Sequence, residues 1–286
     1  MTHLAPIPPA ALSDAQFVQL WLNSKSSSET QRAYSAEVNR FLACAGKPLA
    51  AVTLADLQAY TSALQERSLK AASQNRALTA LKSLLSFCHE TGYLPFNVGA
   101  AIKLRPNRDD LAKRILQESA VAKLIDAAGS LRNRLILKLL YVSGVRVSEL
   151  CRLTWSDLQP RQESGQITVF GKGGRTRAIV LKPKVWQELV ASRGAAAAAD
   201  PIFPSRKGGP LDASQVRRIV YAAARKAGLA EKVSPHWMRH AHASHALDRN
   251  APIHLVQATL GHASVSTTGR YLHARPQESS GLYLPD

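Results

Sequence analysis

Apolar residues recur at helical spacing through the first hundred positions of this chain. Phe17, Leu20 and Trp21 mark one side of a short helix that Ser13-Asp14 can cap. A second helix is predicted over 28–45, with Tyr34, Val38, Phe41 and Leu42 on one face and Gly46 as its stop. Thr53 caps a third, whose face is Leu57, Tyr60 and Leu64. A fourth, over 71–91, repeats Leu78, Leu81, Leu84, Leu85 and Cys88 before Gly92. Four such stripes bury one another in a compact helical domain, here 13–100.

The period breaks over 101–115, where one proline and many charges predict a linker whose basic residues can also touch phosphate. A second domain follows over 116–275. Helices are expected at 118–127 and 131–142, then at 183–193, 213–227, 235–247, 252–260 and 264–272. Between them QITVFGKGGRTRAIVL sets two β-branched runs around Gly171-Lys172-Gly173-Gly174, a hairpin signal. The alanine run 195–199 reads as a loop or frayed helix end. Residues 1–12 read as a flexible lead-in and 276–286 as a polar tail ending in Leu282-Tyr283-Leu284. The fold class is therefore mainly α: a helical N-terminal domain followed by a mixed α/β domain, mostly helical, with a small hairpin or sheet.

Charge narrows the partner. The 286 residues carry a formal net charge of +17, which points to a polyanion, nucleic acid ahead of an anionic membrane surface. No run approaches the ~18 apolar residues of a spanning helix. MTHLAPIPPAAL does not read as a signal peptide. The cysteines Cys44, Cys88 and Cys151 form no CxxC pair, which argues against a disulfide framework or a zinc cluster and suits a reducing cytoplasm. Cys44 and Cys88 sit in apolar helical patterns and read as core residues.

Several basic and hydroxyl residues of the second domain invite chemistry, and each alone has a plainer reading. Arg146 follows a glycine stop and sits where a helix begins, a place that favours anions; it reads either as a phosphate ligand or as a surface partner of Glu149. Lys172, at the glycine-rich tip, is a phosphate contact or a solvated turn lysine. Ser234 and Pro235 start a helix on which His236 and Arg239 share a face. His236 and His240 are four apart, as in a zinc-binding HExxH, but Trp237 stands where the glutamate should be. His240, His242 and His245 read as packing or surface residues. His262 follows a glycine at a helix end, and Tyr271 lies in a short helix beyond it, where a half-buried aromatic is the commoner role.

Their order is more telling than any one of them. The series Arg146, Lys172, His236-x-x-Arg239, His262, Tyr271 closely resembles the catalytic set of the tyrosine recombinase (phage integrase) family, above all its Xer-like members. SGVRVSEL resembles the arginine box, PHWMRHAHASH the HxLRH box, and LGHASVSTTGRYLH the Gly-His … Tyr box. SSETQRAYSAEVNRFLACAG and SQNRALTALKSLLSFCHETGYLPFNV resemble the helical core-binding domain, so the likeness covers nearly the whole chain. Val98, where the family usually has proline, and Trp237-Met238 are departures outside the catalytic set.

The resemblance implies a site-specific recombinase needing no metal or cofactor. Tyr271 is then the nucleophile that forms a 3′-phosphotyrosine; Arg146, Arg239 and His262 hold the phosphate; Lys172 is the general acid and His236 the base, with Glu149 in support. It also implies double-stranded DNA as partner and a homo- or hetero-tetramer working on two DNA sites through a Holliday junction. Arg32, Arg40, Lys70, Arg76 and Lys82 are expected DNA contacts. The tail either docks on a neighbouring protomer or folds back. The rival readings are a type IB topoisomerase and a non-catalytic DNA-binding regulator.

Overall fold

The computed structural model describes residues 12–67, 69–106, 110–171, 174–229 and 232–274. The chain falls into two compact units, residues 1–108 and 109–286. The expected lead-in, nearly all of it, and the tail 276–286 lie outside the described residues.

Four helices build the first unit: α1 (Asp14–Asn23), α2 (Ser28–Ala45), α3 (Leu54–Glu66) and α4 (Ala71–Glu90). Local chemistry sets their ends. Ser13 with Gln16, and Thr53 with Asp56, form reciprocal capping boxes at α1 and α3. Gly46, left-handed at φ +62, closes α2. The core gathers Trp21, Val38, Phe41, Leu57, Tyr60 and the leucines of α4. The α1 face differs slightly from expectation: Val18 and Leu22 are buried, whereas Leu20 is exposed. Cys88 is buried but Cys44 is exposed, contrary to its reading as core. Along α2 the inward stripe advances by 3, 4 and 7 from Val38, and Cys44 lies about 100° off it. Ile102 closes this core from beyond the last helix.

The second unit begins with a 3-10 turn at Ala112–Arg114, then α5 (Glu118–Asp126), α6 (Leu131–Ser143) and the single turn α7 (Val147–Leu150). A three-stranded antiparallel sheet follows, β1 (Leu158–Arg161), β2 (Ser164–Phe170) and β3 (Thr176–Leu181), in the order β1-β2-β3. Ile167 faces Leu158 on one side and Ile179 on the other. The hairpin was legible in the sequence; β1 was not, because LQPR has little strand propensity and its proline is tolerated only on an edge. Helices α8 (Pro183–Ala191), α9 (Ala213–Lys226), α10 (Pro235–Asp248), α11 (Ile253–Leu260) and α12 (Val265–Ala274) complete the unit. The alanine run 195–199 is a loop.

Helix α10 packs on α6, and α11 and α12 pack on α10. The main core joins Leu124, Ile136, Leu140, Ile167, Ile179, Val216, Val220 and Met238. A satellite cluster holds Leu111, Ile115, Ala243, Val256, Leu260 and Tyr271. Two apolar residues of the expected linker, Leu111 and Ile115, thus enclose the candidate nucleophile. Spaced four apart among charges, they gave no periodic signal in the sequence.

Candidate active site

The site is assembled from the ends of short elements. Helix α6 ends at Gly144, left-handed at φ +60; a Cβ there would meet Leu260 at 2.7 Å and the His242 ring at 2.8 Å. Glycine is therefore required on both counts. The turn it makes places Arg146 at the N-cap of α7, where the Glu149 carboxylate accepts the Arg146 backbone N–H at 2.7 Å and its guanidinium at 2.9 Å. The ion pair of the plainer reading exists, yet the Arg146 side chain remains about one-third exposed (35%) and lines an open cleft of about 810 Å³ with Arg175, Arg177 and His262.

Three guanidinium groups converge on the last turn of α11. Arg177 donates from Nε to the Thr259 carbonyl at 2.7 Å, Arg239 from Nη2 to Leu260 at 2.6 Å, and Arg146 from Nη2 to Gly261 at 3.3 Å. Helix C-terminal carbonyls are unsatisfied and carry partial negative charge, so they suit cations. Arg239 also donates to the Gly144 carbonyl. Buried and beside Arg146, it has its pKa lowered to about 10 and remains charged at neutral pH.

One carboxylate answers these three cations. Arg177 grips Glu149 with two prongs, at 3.1 and 2.8 Å, while Arg146 holds it from the other side. Burial alone would raise the Glu149 pKa; the hydrogen bonds from Arg177 and Arg146 outweigh it and hold the carboxyl at about 2. These three guanidiniums share one carboxylate, Glu149, and Arg175 adds a further positive charge at the cleft, so positive charge is in surplus there.

Tyr271 is buried, and withdrawal from water raises its pKa, against the opposing pull of Arg239 and Arg270. Its hydroxyl meets Nδ1 of His240 at 2.8 Å. His240, which reads in the sequence as a packing or surface residue, thus contacts the candidate nucleophile; four residues past His236, it turns to the same face of α10. The His236 and His240 rings lie 6.5 Å apart, centre to centre. His262 stacks nearly parallel to Tyr271, 6.4 Å away, and its Nδ1 meets the Thr268 hydroxyl at 2.8 Å.

All these imidazoles have depressed pKa values. For His240 and His262 the value falls to about 4, through burial first and then nearby positive groups. His236 lies at the surface; partial desolvation and the charges of Arg239, Arg217 and Arg146 lower it. His242 and His245 fit the packing role: their Nδ1 atoms meet the Tyr141 carbonyl and hydroxyl at 2.8 and 2.9 Å. Among the described residues no group of three or more His, Cys, Asp or Glu side chains is placed to hold a metal ion.

Arg146, His236, Arg239, His262, Tyr271 and Glu149 thus meet at the junction of α7, α10, α11 and α12. Lys172 lies outside the described residues; the strands that carry its loop are closed by Gly171 donating to Arg175 at 2.8 Å. Arg177, Thr268 and His240 touch these residues, at Glu149, His262 and Tyr271, and the sequence alone did not mark them as candidates. Arg177 alternates with Ile179 and Leu181 on the buried face of β3, a signal that it points inward, whereas Thr268 looks like an ordinary helix hydroxyl. For His240 the signal was its i+4 spacing from His236.

The five expected DNA contacts lie in the first unit. Arg32, Arg40, Lys70 and Arg76 are exposed. Arg40 of α2 and Arg76 of α4 both pair with buried Glu37, which fixes their heads side by side. Lys82 is instead engaged with the carbonyls of Ala100 and Ile102, at 3.2 and 2.7 Å.

A tyrosine beside an imidazole, next to a cleft with surplus guanidinium charge, suits a class of protein that acts on an anionic substrate such as a phosphodiester. Comparison with known proteins makes the class specific. Residues 112–278 match the phage integrase family, and residues 16–90 its N-terminal SAM-like domain. The chain belongs to the phage integrase family. It is 34% identical over 278 residues to the tyrosine recombinase XerC of Xylella fastidiosa (strain M23), covering 93% of each chain. It also resembles the crystal structure of XerA recombinase (28% identity, TM-score 0.52, 94% of this chain and 95% of that one). A lambda integrase dimer bound to a COC′ core site shares the fold (21% identity, TM-score 0.76, 93% of this chain and 95% of that one).

Proposed function

We propose that this chain is a Xer-like site-specific DNA recombinase that cuts and rejoins strands through a covalent phosphotyrosine at Tyr271. The observation that carries this reading is the convergence of Arg146, Arg239 and Arg177 on the end of α11, around Glu149 and next to His262, which stacks on Tyr271. A scissile phosphate is an anion that matches such a site. Guanidinium forks match its non-bridging oxygens, and fixed donors stabilise the charge that grows in the transition state.

Tyr271 Oη attacks phosphorus, and the 5′-oxygen leaves with a proton, for which Lys172 is the candidate donor. Arg146, Arg239 and His262 hold the non-bridging oxygens, and Glu149 keeps Arg146 in place. His236, at the rim with Arg146 and Arg239 nearby, is the candidate base named by the resemblance. The phosphodiester energy is kept in the 3′-phosphotyrosine, so a 5′-hydroxyl from a partner duplex can reverse the step without ATP.

Exchange between duplexes needs two DNA sites and four protomers, through a Holliday junction. The helical unit supplies backbone contacts, with Arg40 and Arg76 foremost, and the two units act as domains joined near 101–115. No helix among the described residues is long and apolar enough to cross a membrane. DNA work in a reducing cytoplasm suits the three free cysteines.

The test is a plasmid bearing two copies of a duplex site selected by the protein from random sequence. Deletion or inversion between the copies supports recombination. Relaxation without exchange indicates a topoisomerase, and binding without cleavage a regulator.

A further inference from the structure

The nucleophile of this site must lose a proton, and a phenol does so reluctantly: its free pKa is ~10. Burial raises that of Tyr271 further. A group that takes the proton as the Oη–P bond forms should contact Oη directly, since a general base works within hydrogen-bond reach. Among the described residues one side chain is bonded to this hydroxyl, His240, at 2.8 Å through Nδ1.

We propose that His240 is a further catalytic residue, the acceptor of the Tyr271 proton in strand cleavage, in the place the family resemblance gives to His236. The inference rests on the reading of Tyr271 as nucleophile.

The step balances. The Oη–H bond breaks and its electron pair forms the Oη–P bond. The P–O5′ bond breaks and the 5′-oxygen takes its proton from a separate donor. The phenol proton moves to Nδ1 of His240, giving an imidazolium with Nε2–H already in place. Nδ1 can accept only in the neutral Nε2–H form. Burial and the groups around it keep the ring neutral: His236 and Arg239 on α10, Arg114 on the segment before α5, and Arg270 on α12. The same neighbours make the imidazolium short-lived, so the proton is passed on or returned when the 5′-hydroxyl re-enters. The ring is also held: His240 and Tyr271 lie 5.8 Å apart at 45°, and His262 packs on the far partner, Tyr271.

The test uses the full chain and a nicked suicide duplex containing the selected site, scored as covalent adduct on a denaturing gel. His240→Asn can present an amide oxygen near the position of Nδ1, so it keeps a hydrogen-bond acceptor but no base. The expected result is a cleavage rate lower by roughly 10²-fold or more, the usual range for a lost general base. Equilibrium DNA binding and Tm should stay close to the parent's. Placing 3-fluorotyrosine at 271, a more acidic phenol, should restore most of the lost rate in the His240→Asn background and little in the parent. Three results overturn the proposal: a parental rate in His240→Asn, a deficit that fluorotyrosine leaves untouched, or cleavage faster than the parent's, which would make the contact a restraint. Should Tyr271→Phe still form the adduct, the reading of the nucleophile itself fails. Adduct lost in Tyr271→Phe but unchanged in His240→Asn removes only the role of His240.

Discussion

Arg177 and Glu149 are joined by two hydrogen bonds, at 3.1 and 2.8 Å, and this pair ties strand β3 to the turn that presents Arg146. The same guanidinium reaches Thr259, so one side chain links the hairpin, α7 and α11. Removing it leaves a buried carboxylate with Arg146 as its remaining partner. Arg177→Ala is expected to lower stability by about 1–3 kcal/mol, the cost of an under-satisfied buried charge. Arg177→Lys, lacking the fork, should recover only part. Chemical denaturation measures the first effect, and adduct formation should fall alongside it.

Arg146 and Arg239 should fail in different ways. Arg146 is one-third exposed and lines the cleft, so Arg146→Ala should lose only a small part of its stability, through its contact with Glu149, and roughly 10²–10³-fold in cleavage, as when a transition-state donor is removed. Arg239 is buried and satisfies the Gly144 and Leu260 carbonyls. Arg239→Ala should therefore lower Tm as well as abolish cleavage. Thermal melts set beside adduct yields separate the two cases; equal loss of Tm in both would contradict the assignment.

Stability should fall on mild acidification. His240 and His262 hold pKa values of about 4 when folded, against an ordinary value of 6.5. Between these values the unfolded chain binds more protons, so ΔG of unfolding decreases as pH falls from about 6.5 towards about 4. Glu149, at about 2 when folded against 4.5, adds a decrease that begins near pH 4.5 and continues to about 2. A Tm series across pH 7 to 4 checks the sign. His240→Asn should flatten its upper part.

The first unit predicts an uneven salt response. Arg40 and Arg76 present heads fixed by Glu37, whereas the Lys82 ammonium is occupied by two carbonyls. A side chain that neutralises one phosphate adds about 0.9 to the steepness of log K against log salt. Arg40→Ala and Arg76→Ala should each make that line shallower by this amount, and Lys82→Ala should not. Fluorescence anisotropy at several salt concentrations decides it.

Much of this was legible in the sequence, for physical reasons. Helices announce themselves by a 3.6-residue apolar period and by caps such as Ser13 and Thr53, and the hairpin by two β-branched runs about a glycine turn. The order of Arg146, His236-x-x-Arg239, His262 and Tyr271 marked the site because that series resembles the catalytic set of the phage integrase family. What escaped depends on contacts distant in sequence. Arg177 shares the buried face of β3 with Ile179 and Leu181, so alternation can say that it points inward but not that it meets Glu149. Leu111 and Ile115 lie among charges and show their role only against Tyr271. Cys44 was misplaced because a stripe one residue wide of the true face still looks apolar.

Everything proposed for this site depends on Tyr271 becoming covalently attached to DNA. Trapping on a nicked suicide duplex carrying the selected site, with peptide mapping of the adduct, measures that attachment. A denaturant-resistant adduct is expected on the peptide containing Tyr271, formed in EDTA and absent in Tyr271→Phe. An adduct on another residue, or one that survives Tyr271→Phe, would contradict it.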